Sequence, residues 1–310
     1  MIIGIGNPVY DFIRTPLVTT HTRVLSGCST NACLAVRKLG EPAHLVGRVG
    51  PDYADRFRAD MDRYGIQYTL YPTAETGGFG LVYDETGDRT LDVLGVADPL
   101  EVLPAQLAGS RFVLVGPILG EVPNHLIREI ARWSGVGRIL DPQGMMRRIQ
   151  DGRVEHHRSS ELLEVLPEFD VVKPNEHEAR ILTGIDAREE PNAAVLALYD
   201  LMTRQRRPDG QRRIAIVTLA DAGSVIYDGC YIHRIPAFST IARDPTGAGD
   251  TYAGGFIYQY LRTPDDLTQV GCFASAVASV MVEHTGPDFP LTLEEAQRRT
   301  ALLMAGCGRG

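Results

Sequence analysis

The residues best suited to chemistry in this 310-residue chain are concentrated in one short segment. Residues 244–250 read Asp-Pro-Thr-Gly-Ala-Gly-Asp and lead at once into a helical pattern. Small residues let a backbone approach a ligand closely, and the unpaired amides of a helix N-terminus carry partial positive charge. We therefore expect the amides of Gly247, Ala248 and Gly249 to form an anion site that needs no lysine.

The acid that closes this segment, Asp250, would repel an anion and is a poor phosphate ligand. It suits a group that takes the proton from an attacking hydroxyl while the glycine turn stabilises a transferred phosphoryl group. The alternative is that Asp250 only complements the helix dipole, as most acids in a first helical turn do. The local sequence leaves both interpretations open.

Composition excludes several other functions. A net charge of -8 argues against a general nucleic-acid binder, because neutralising phosphates needs a clustered excess of Lys and Arg. Lys38 and Lys173 are the only lysines, and there is no Gly-Lys-Ser or Gly-Lys-Thr phosphate loop. The five cysteines lack paired zinc spacing and suit free thiols in a reducing compartment. With no apolar stretch of membrane-spanning length and no recognisable N-terminal signal, we expect a cytoplasmic protein that binds neither nucleic acid nor membrane.

The elements that must position this segment alternate between short β-branched runs and helical stretches. This rhythm is typical of parallel strands joined by crossover helices, and it predicts a three-layer α/β/α sandwich with a mostly parallel central sheet, as a single domain over residues 1–310. Predicted strands cover 2–5, 45–49, 112–115, 138–140, 171–173 and 214–218, and predicted helices cover 31–39, 52–64, 124–133, 176–182, 248–261, 267–283 and 293–304. Two stretches break the rhythm, about 13–25 and 67–95, the second punctuated by Gly77-Gly78 and by Thr-Gly-Asp at 86–88. They predict a small β lid over one edge.

Further motifs occur in order along the chain. They are Gly-Asn-Pro-Val-Tyr-Asp at 6–11, Gly-Cys-Ser-Thr-Asn-Ala at 27–32, Val-Gly-Arg-Val-Gly-Pro-Asp at 46–52, Lys-Pro-Asn-Glu-His-Glu at 173–178, and Val-Thr-Leu at 217–219 with Gly223. Together with residues 244–250, this series resembles the ribokinase, or PfkB, family of carbohydrate and nucleoside kinases through nearly the whole chain. The ordered blocks favour a catalytic Asp250 over a dipole partner.

The resemblance implies a ribokinase-like sandwich with a shortened lid and an ATP-dependent kinase. The implied reaction is direct in-line transfer of the γ-phosphate to a hydroxyl of a small polyol, which is a sugar, an inositol or a nucleoside. Asp250 is the implied base, and the amides of Gly247, Ala248 and Gly249 surround the transferred group.

The resemblance also assigns the acceptor side of the site. Asp11 and Asn31 are implied to hydrogen-bond substrate hydroxyls, and Gly27 lets the backbone approach them. Taken alone, Asp11 is equally a turn residue after a strand, and Asn31 a helix cap. Ser26 stands where the family usually has the first of two glycines, which leaves the shape of this turn open.

On the donor side, Asn175 and Glu178 are implied to act on Mg²⁺ through waters, since magnesium keeps much of its hydration shell. A capped surface helix starting at Asn175 is the alternative. Thr218 and Gly223, with Gly247 and Gly249, are implied nucleotide contacts, although Ala220 replaces the usual glycine of that turn. Asp244 matches a position that contributes to a monovalent-cation site, for K⁺, in some relatives.

The stretch between Asp11 and Gly27 leaves little room for a long lid hairpin. Because lid closure protects ATP from water, a short lid predicts either wasteful ATP hydrolysis or a homodimer in which a partner covers the site.

The segment Asp-Pro-Gln-Gly-Met-Met-Arg at 141–147 resembles a subgroup that contains inositol kinases, which would make Arg147 a substrate ligand. An ordinary turn with Arg147 in solvent is the alternative.

Two other classes of function compete with a kinase. A non-catalytic pseudokinase would have no need of Asp250, and a dinucleotide-dependent dehydrogenase is disfavoured because Gly-Ile-Gly-Asn-Pro at 4–8 lacks the third glycine.

Overall fold

The computed structural model describes residues 1–84, 89–205 and 210–307. The described strands are β1 (Ile2–Ile5), β2 (Val9–Arg14), β3 (Val24–Ser26), β4 (Ala43–Arg48), β5 (Gln67–Tyr71), β6 (Gly78–Tyr83), β7 (Arg89–Gly95), β8 (Phe112–Val115), β9 (Gly137–Leu140), β10 (Arg147–Gln150), β11 (Arg153–His156), β12 (Val171–Val172), β13 (Ile214–Thr218), β14 (Ser224–Tyr227) and β15 (Ile232–Ile235). All six strands predicted from the sequence are present, within two residues of their expected ends. The turn predicted at 86–88 lies outside the described residues.

The described helices are α1 (Cys28–Lys38), α2 (Ala54–Tyr64), α3 (Asn124–Ala131), α4 (Ser160–Val165), α5 (Glu176–Thr183), α6 (Pro191–Thr203), α7 (Ala248–Tyr260), α8 (Leu267–Val282) and α9 (Leu293–Cys307). Helix α1 begins three residues earlier than predicted, so Asn31 lies inside its first turn and is not its cap. Gly27 is the N-cap instead, with a φ of 115° that favours glycine. No helix in the described ranges has the length and apolar character needed to cross a membrane.

Nine strands form a central sheet in the order β15-β14-β13-β12-β9-β8-β1-β4-β5. The strands from β13 to β5 pair parallel, whereas β14 and β15 extend one edge antiparallel. Successive side chains on a strand point to opposite faces. Ile2 and Leu114 accordingly join a core with α1, α2, α7, α8 and α9, and Ile3 and Val113 join a second core with α3 to α6. The predicted α/β fold with a mostly parallel central sheet is confirmed.

A second sheet of six strands has the order β10-β11-β7-β6-β2-β3. It differs from the predicted lid in two ways. Strand β5, which the range 67–95 assigned to the lid, pairs parallel with β4 in the central sheet. The hairpin of β10 and β11, far from both predicted lid stretches, joins the small sheet through β7. Sequence alternation indicated strands within 67–95 but not the hairpin of β10 and β11. It also does not specify which sheet a strand joins, because pairing depends on distant residues.

Candidate active site

A cleft of about 930 Å³ lies beyond the carboxyl ends of the parallel strands. Ligands of open α/β sheets bind at this edge, where the loops after the strands converge. Asp141 follows β9, Lys173 follows β12 and Thr218 ends β13, and all three line the cleft. The small sheet supplies further lining residues, including Asp11 and Arg147.

The glycine turn of residues 244–250 lies in this cleft at the N-terminus of α7. Gly247 is the N-cap, with φ 81° in the left-handed region. A Cβ added there would lie 2.7 Å from Nδ2 of Asn31. Both the backbone conformation and the lack of space therefore favour glycine at this position. The amide of Ala248 already donates to the carbonyl of Pro245 at 3.2 Å. The other two amides of the predicted anion site, from Gly247 and Gly249, are therefore better placed than Ala248 to bind an anion.

Close packing of α7 on α1 brings Asn31 to Asp250. A Cβ on Gly254 of α7 would lie 2.7 Å from the carbonyl oxygen of Ala32, so the glycine is what allows the two helix backbones to approach. Asn31 Nδ2 then donates to Asp250 Oδ2 at 2.9 Å. Asn31 does not line the cleft itself and reaches it only through this contact.

The carboxylate of Asp250 is buried among charged groups. Burial raises its pKa, the negative charge of Asp141 raises it further, and the bond from Asn31 and the charge of Lys173 oppose the rise. Gln143 Nε2 donates to the other oxygen, Oδ1, at 3.3 Å. One oxygen each from Asp141 and Asp250 lies within 4.8 Å of the sulfur of Cys28. The surroundings of Asp250 are therefore enclosed and polar.

Lys173, one of the two lysines, is buried and pairs with Asp141, with Nζ 2.8 Å from Oδ2. Burial alone lowers the pKa of Lys173, but the Asp141 carboxylate outweighs it and the net shift is upward, so the amine stays charged. A Cβ on Gly249 would lie 3.2 Å from Nζ. The anion turn thus has a cation beside it that the sequence analysis did not assign to the site.

Asn175 and Glu178 form a reciprocal cap at the start of α5. Asn175 Oδ1 accepts from the Glu178 amide at 2.9 Å, and the two Glu178 oxygens accept from the Asn175 backbone and side-chain nitrogens, each at 2.9 Å. The predicted cap is present, but it is not on the surface, because Glu178 is buried and lines the cleft. Burial raises the pKa of Glu178 to about 7, and the charge of Asp141 adds to this.

Asp11 of β2 and Gly27, the N-cap of α1, also line the cleft. Asp11 Oδ1 accepts from the Phe79 amide of the neighbouring strand at 2.8 Å, which fixes the carboxylate. Burial raises the pKa of Asp11 to about 7, against the effect of that amide and of a bond from Ser26. Gly27 lines the cleft with its backbone, as expected of a close-approach position.

The small sheet also supplies an arginine that was not predicted. Arg89 NH1 donates to the Tyr83 hydroxyl at 2.9 Å, and that hydroxyl lies 2.9 Å from Oγ1 of Thr246 in the glycine turn. All three residues line the cleft. Since Arg89 lies far from residue 246 in the chain and in an exposed-looking lid segment, no local signal identified it.

Thr218 and the turn from β13 to β14 line another part of the cleft. Gly223 there has φ 90°, and a Cβ would overlap the carbonyl of Ile235. Ala220, which stands where a glycine was expected, has φ 49°. Its backbone adopts the glycine-like conformation despite its side chain, so the turn is kept.

Asp244 is fully buried beneath the glycine turn and does not line the cleft. Its Oδ1 accepts from the Thr246 amide at 2.9 Å, and its Oδ2 has no partner among the described residues. Burial raises the pKa of Asp244. An unpaired buried carboxylate oxygen suits a cation, so the predicted monovalent-cation role stays a prediction that this geometry fits.

The structure gathers nearly all the predicted site residues into one cleft. Those that line it are Asp11, Gly27, Arg147, Asn175, Glu178, Thr218, Gly223, Gly247, Ala248, Gly249 and Asp250. Asp141, Gln143 and Lys173 belonged to predicted motifs without being assigned a role. Their position directly after buried strands was the signal that could have identified them.

Comparison with known proteins agrees with this geometry. Residues 4–294 match the profile described as "pfkB family carbohydrate kinase". Fructokinase-1 of Zea mays is 24% identical over 96% of this chain and 97% of its own length. Cytidine kinase of Thermococcus kodakarensis is 26% identical over 84% of this chain and 88% of its own length.

Solved structures show the same fold. A pyrophosphate-dependent kinase in the ribokinase family, in a sulfate complex, aligns with a TM-score of 0.78 at 21% identity, over 96% of this chain and 99% of that one. A complex of such a kinase with a pyrophosphate analogue and myo-inositol aligns with a TM-score of 0.77 at 22% identity, over 96% and 99%. The profile match covers nearly the whole chain. The chain therefore belongs to the pfkB family of carbohydrate kinases, phosphotransferases whose acceptor is a hydroxyl group.

Proposed function

We propose that this chain transfers the γ-phosphoryl group of ATP to a hydroxyl of a small polyol, with Asp250 as the base. The observation that carries the proposal is that Asp250 and the glycine turn share one cleft with Asp11 of the small sheet and with Thr218 at the carboxyl end of β13. An acceptor held by Asp11 and a donor lying along Thr218 would meet at Asp250, as in-line transfer requires.

A nucleotide is a better donor for this cleft than pyrophosphate, which the fold neighbours use. The cleft lining includes apolar residues of the segment before the glycine turn and of α8, namely Ala237, Phe238, Ala242, Ala278 and Val282, beside the polar Ser239, Thr240, Ser275 and Ser279. Pyrophosphate has no apolar part that could contact such residues, whereas a nucleobase does. These apolar lining residues therefore support ATP.

Magnesium fits the α5 end of the cleft. Each Glu178 oxygen accepts one hydrogen bond from Asn175 and keeps a lone pair, so water-mediated coordination needs no rearrangement of the cap. A cation there would also restore the charge of a carboxylate whose pKa burial has raised. When bound, Mg²⁺ would neutralise the phosphates of the donor, and Lys173 and the amides of Gly247 and Gly249 would stabilise the transferred group.

The small-sheet side of the cleft combines one carboxylate with apolar side chains and two arginines. Asp11 provides the hydrogen-bond acceptor, and Val9, Phe79, Leu91 and Ile118 are among the apolar lining residues. Arg89 and Arg147 also line the cleft, and their charges act against the rise in the pKa of Asp11. A ring with hydroxyl edges and apolar faces suits this composition. It supports a sugar, an inositol or a nucleoside and leaves the choice among them to experiment.

The test is a matrix of donors and acceptors. ATP and pyrophosphate are each supplied with Mg²⁺ to the purified protein, together with D-fructose, D-ribose, cytidine or myo-inositol, and the products are identified by mass. We expect a phosphorylated product with ATP and at least one acceptor. Transfer from pyrophosphate alone would reject the proposed donor, and nucleotide binding without any product would indicate a non-catalytic relative.

A further inference from the structure

Both oxygens of the Asp250 carboxylate are held by side-chain amides from separate elements. Asn31 in α1 donates to Oδ2 at 2.9 Å, and Gln143, in the 3-10 turn Gln143–Met146 after β9, donates to Oδ1 at 3.3 Å. Two donors on opposite oxygens fix the plane of the carboxylate. They still leave lone pairs free to receive a proton from an acceptor hydroxyl.

The orientation of the Gln143 amide is decided by Arg147. A glutamine amide presents either its oxygen or its nitrogen to a neighbour, and its surroundings decide which. Arg147 NH2 lies 2.7 Å from Gln143 Oε1, and a guanidinium only donates, so the amide nitrogen must face Asp250. A reversed amide would place its oxygen against the carboxylate and repel it.

Arg147 is itself held in place. Its NH1 donates to the carbonyl of Ile118 at 3.1 Å, and the residue is 7% exposed. Among the described residues, no carboxylate lies within ion-pair distance of this guanidinium. Its hydrogen-bond acceptors are the carbonyl oxygen of Ile118 and Oε1 of Gln143. This location supports a role in orienting Gln143.

We propose that Gln143 is a positioning residue for the base and that Arg147 acts through Gln143, by fixing the direction of its amide, and is not a ligand of the acceptor. The inference rests on the proposed role of Asp250. It differs from the assignment that the sequence suggested for Arg147, which was substrate binding.

The pH dependence of catalysis reports on this arrangement. A hydrogen bond to the charged form of a carboxylate lowers its pKa, so losing the Gln143 donor raises the pKa of Asp250. The other titratable and charged groups around Asp250 come from six elements, and all remain in the variants below except Arg147 in its own substitutions, where Arg147→Leu also removes a positive charge that favours the charged carboxylate. They are Cys28 of α1, Arg89 of β7, Asp141 after β9, Arg147 of β10, Lys173 after β12 and Glu178 of α5.

The experiment is a double-mutant cycle of Gln143→Leu and Arg147→Leu. For whichever of D-fructose, D-ribose, cytidine and myo-inositol the wild type phosphorylates fastest, kcat and acceptor KM are measured from pH 5 to 9. We expect each single variant to lower kcat about 10- to 100-fold, with little change in KM. The acidic limb of the profile of kcat against pH should move to higher pH by about half a unit or more. In the Gln143→Leu background, Arg147→Leu should change kcat by less than about twofold.

Two further variants separate the interpretations. Arg147→Lys keeps a donor toward Gln143 and should recover most of the activity that Arg147→Leu loses. Arg148→Leu, on the same strand but exposed and paired with Glu155, should behave like the wild type. Circular dichroism and thermal melts identify any variant that fails to fold. If Arg147→Leu fails to fold, the kinetics of Arg147→Lys are used to test the inference.

Substrate binding by Arg147 would give a different pattern. Acceptor KM would rise at least tenfold on its loss in both backgrounds, and Gln143→Leu would leave the acidic limb unmoved; either result overturns the inference. If Asp250→Asn remained active, both the proposed function and this inference would be overturned. If Asp250→Asn were inactive while Gln143→Leu kept wild-type kinetics, only this inference would be overturned.

Discussion

Three carboxylates that line the cleft, those of Asp11, Glu178 and Asp250, are each controlled by their immediate neighbours. Burial raises the pKa of Asp11, of Glu178 and of Asp250, since a low-dielectric site disfavours the charged form. Donors oppose this at every position: a backbone amide at Asp11, Asn175 at Glu178, and Asn31 at Asp250. The three carboxylates therefore differ in the donors that hold them.

The proposed role of Asp250 predicts the effect of removing its charge. Asp250→Asn should lower kcat by about 10²- to 10⁴-fold with a smaller change in KM, because an amide cannot accept the hydroxyl proton. In the wild type, kcat should fall as pH drops through a pKa raised above the 3.8 of a free aspartate. Steady-state kinetics against pH provide the measurement.

A matched control addresses the dipole interpretation of Asp250. Asp266 caps α8 by accepting from the Gln269 amide at 2.9 Å and lies outside the cleft. Asp266→Asn should leave kcat unchanged. If Asp250→Asn also retained near-normal turnover, a purely structural role for Asp250 would be correct.

The raised pKa of Asp11 predicts a pH-dependent stability. The folded protein keeps this proton up to about pH 7, whereas the unfolded chain releases it near 3.8, so the free energy of unfolding falls as pH rises between these values. Asp11→Asn removes this loss and should be more stable than the wild type at pH 8, by at least about 2 °C in Tm. The difference should shrink at pH 5. Thermal melts of the variant and the wild type at pH 5 and pH 8 test this prediction. An equal difference in Tm at the two pH values would contradict it.

At the scale of elements, glycine positions decide how closely backbones approach. Gly254 allows α7 to pack on α1, and Gly247 leaves room for the Asn31 side chain beside the base. Packing of α7 on α1, and not the turn sequence alone, therefore brings the Asn31 side chain to Asp250.

Two glycines with the same backbone separate strain from crowding. Gly247 and Gly184 both have φ 81°, but a Cβ at Gly247 meets Asn31 at 2.7 Å while Gly184 has open space within 4 Å. Both alanine variants should lose about 1 kcal/mol of stability from the left-handed conformation. Only Gly247→Ala should also lower kcat, by about tenfold or more, because it displaces the partner of Asp250. Equal kinetics for the two variants would contradict the proposed contact.

The turn at Ala220 predicts a stabilising substitution. Ala220 has φ 49°, a conformation that costs an alanine about 1 kcal/mol. Ala220→Gly should therefore raise the free energy of unfolding by up to about that amount, as measured by denaturant titration. Exposed Ala222, which has no positive φ, is the control, and Ala222→Gly should destabilise by roughly 0.5–1 kcal/mol. The same sign of change in both variants would contradict the argument.

At the scale of the whole molecule, the site exists only where the two sheets meet. The central sheet contributes Asp141, Lys173 and Thr218 from its edge, and the small sheet contributes Asp11 and Arg89. Closing the cleft therefore depends on a sheet whose outer face has no covering layer among the described residues.

That outer face predicts the homodimer expected from the short lid. Phe12 and Val82 lie on it at 39% and 42% exposure, on neighbouring strands β2 and β6. A second copy packing there would bury apolar side chains and stiffen the lid. We expect sedimentation velocity to show a dimer, and Phe12→Glu to give a monomer that hydrolyses ATP faster without an acceptor. Leu302→Glu, at an exposed position of α9, is the control and should remain dimeric. A wild-type monomer would reject this prediction.

The sequence by itself determined the features that rest on local interactions. The strand and helix rhythm, the cap of α5 by Asn175 and Glu178, and the glycine turn at the start of α7 depend on residues a few positions apart. Their spacing is visible in the chain because a capping bond or a helix N-terminus needs no distant partner.

The tertiary structure alone decided the partners of the base and the composition of the small sheet. Asn31 lies 219 residues from Asp250, and Gln143 lies 107 residues from it. The pairing of β5 with β4 and the recruitment of β10 and β11 likewise follow from which strand edges meet in space. No local pattern encodes such contacts, because burial and packing of distant elements select them, and they are what gives Asp250 its environment.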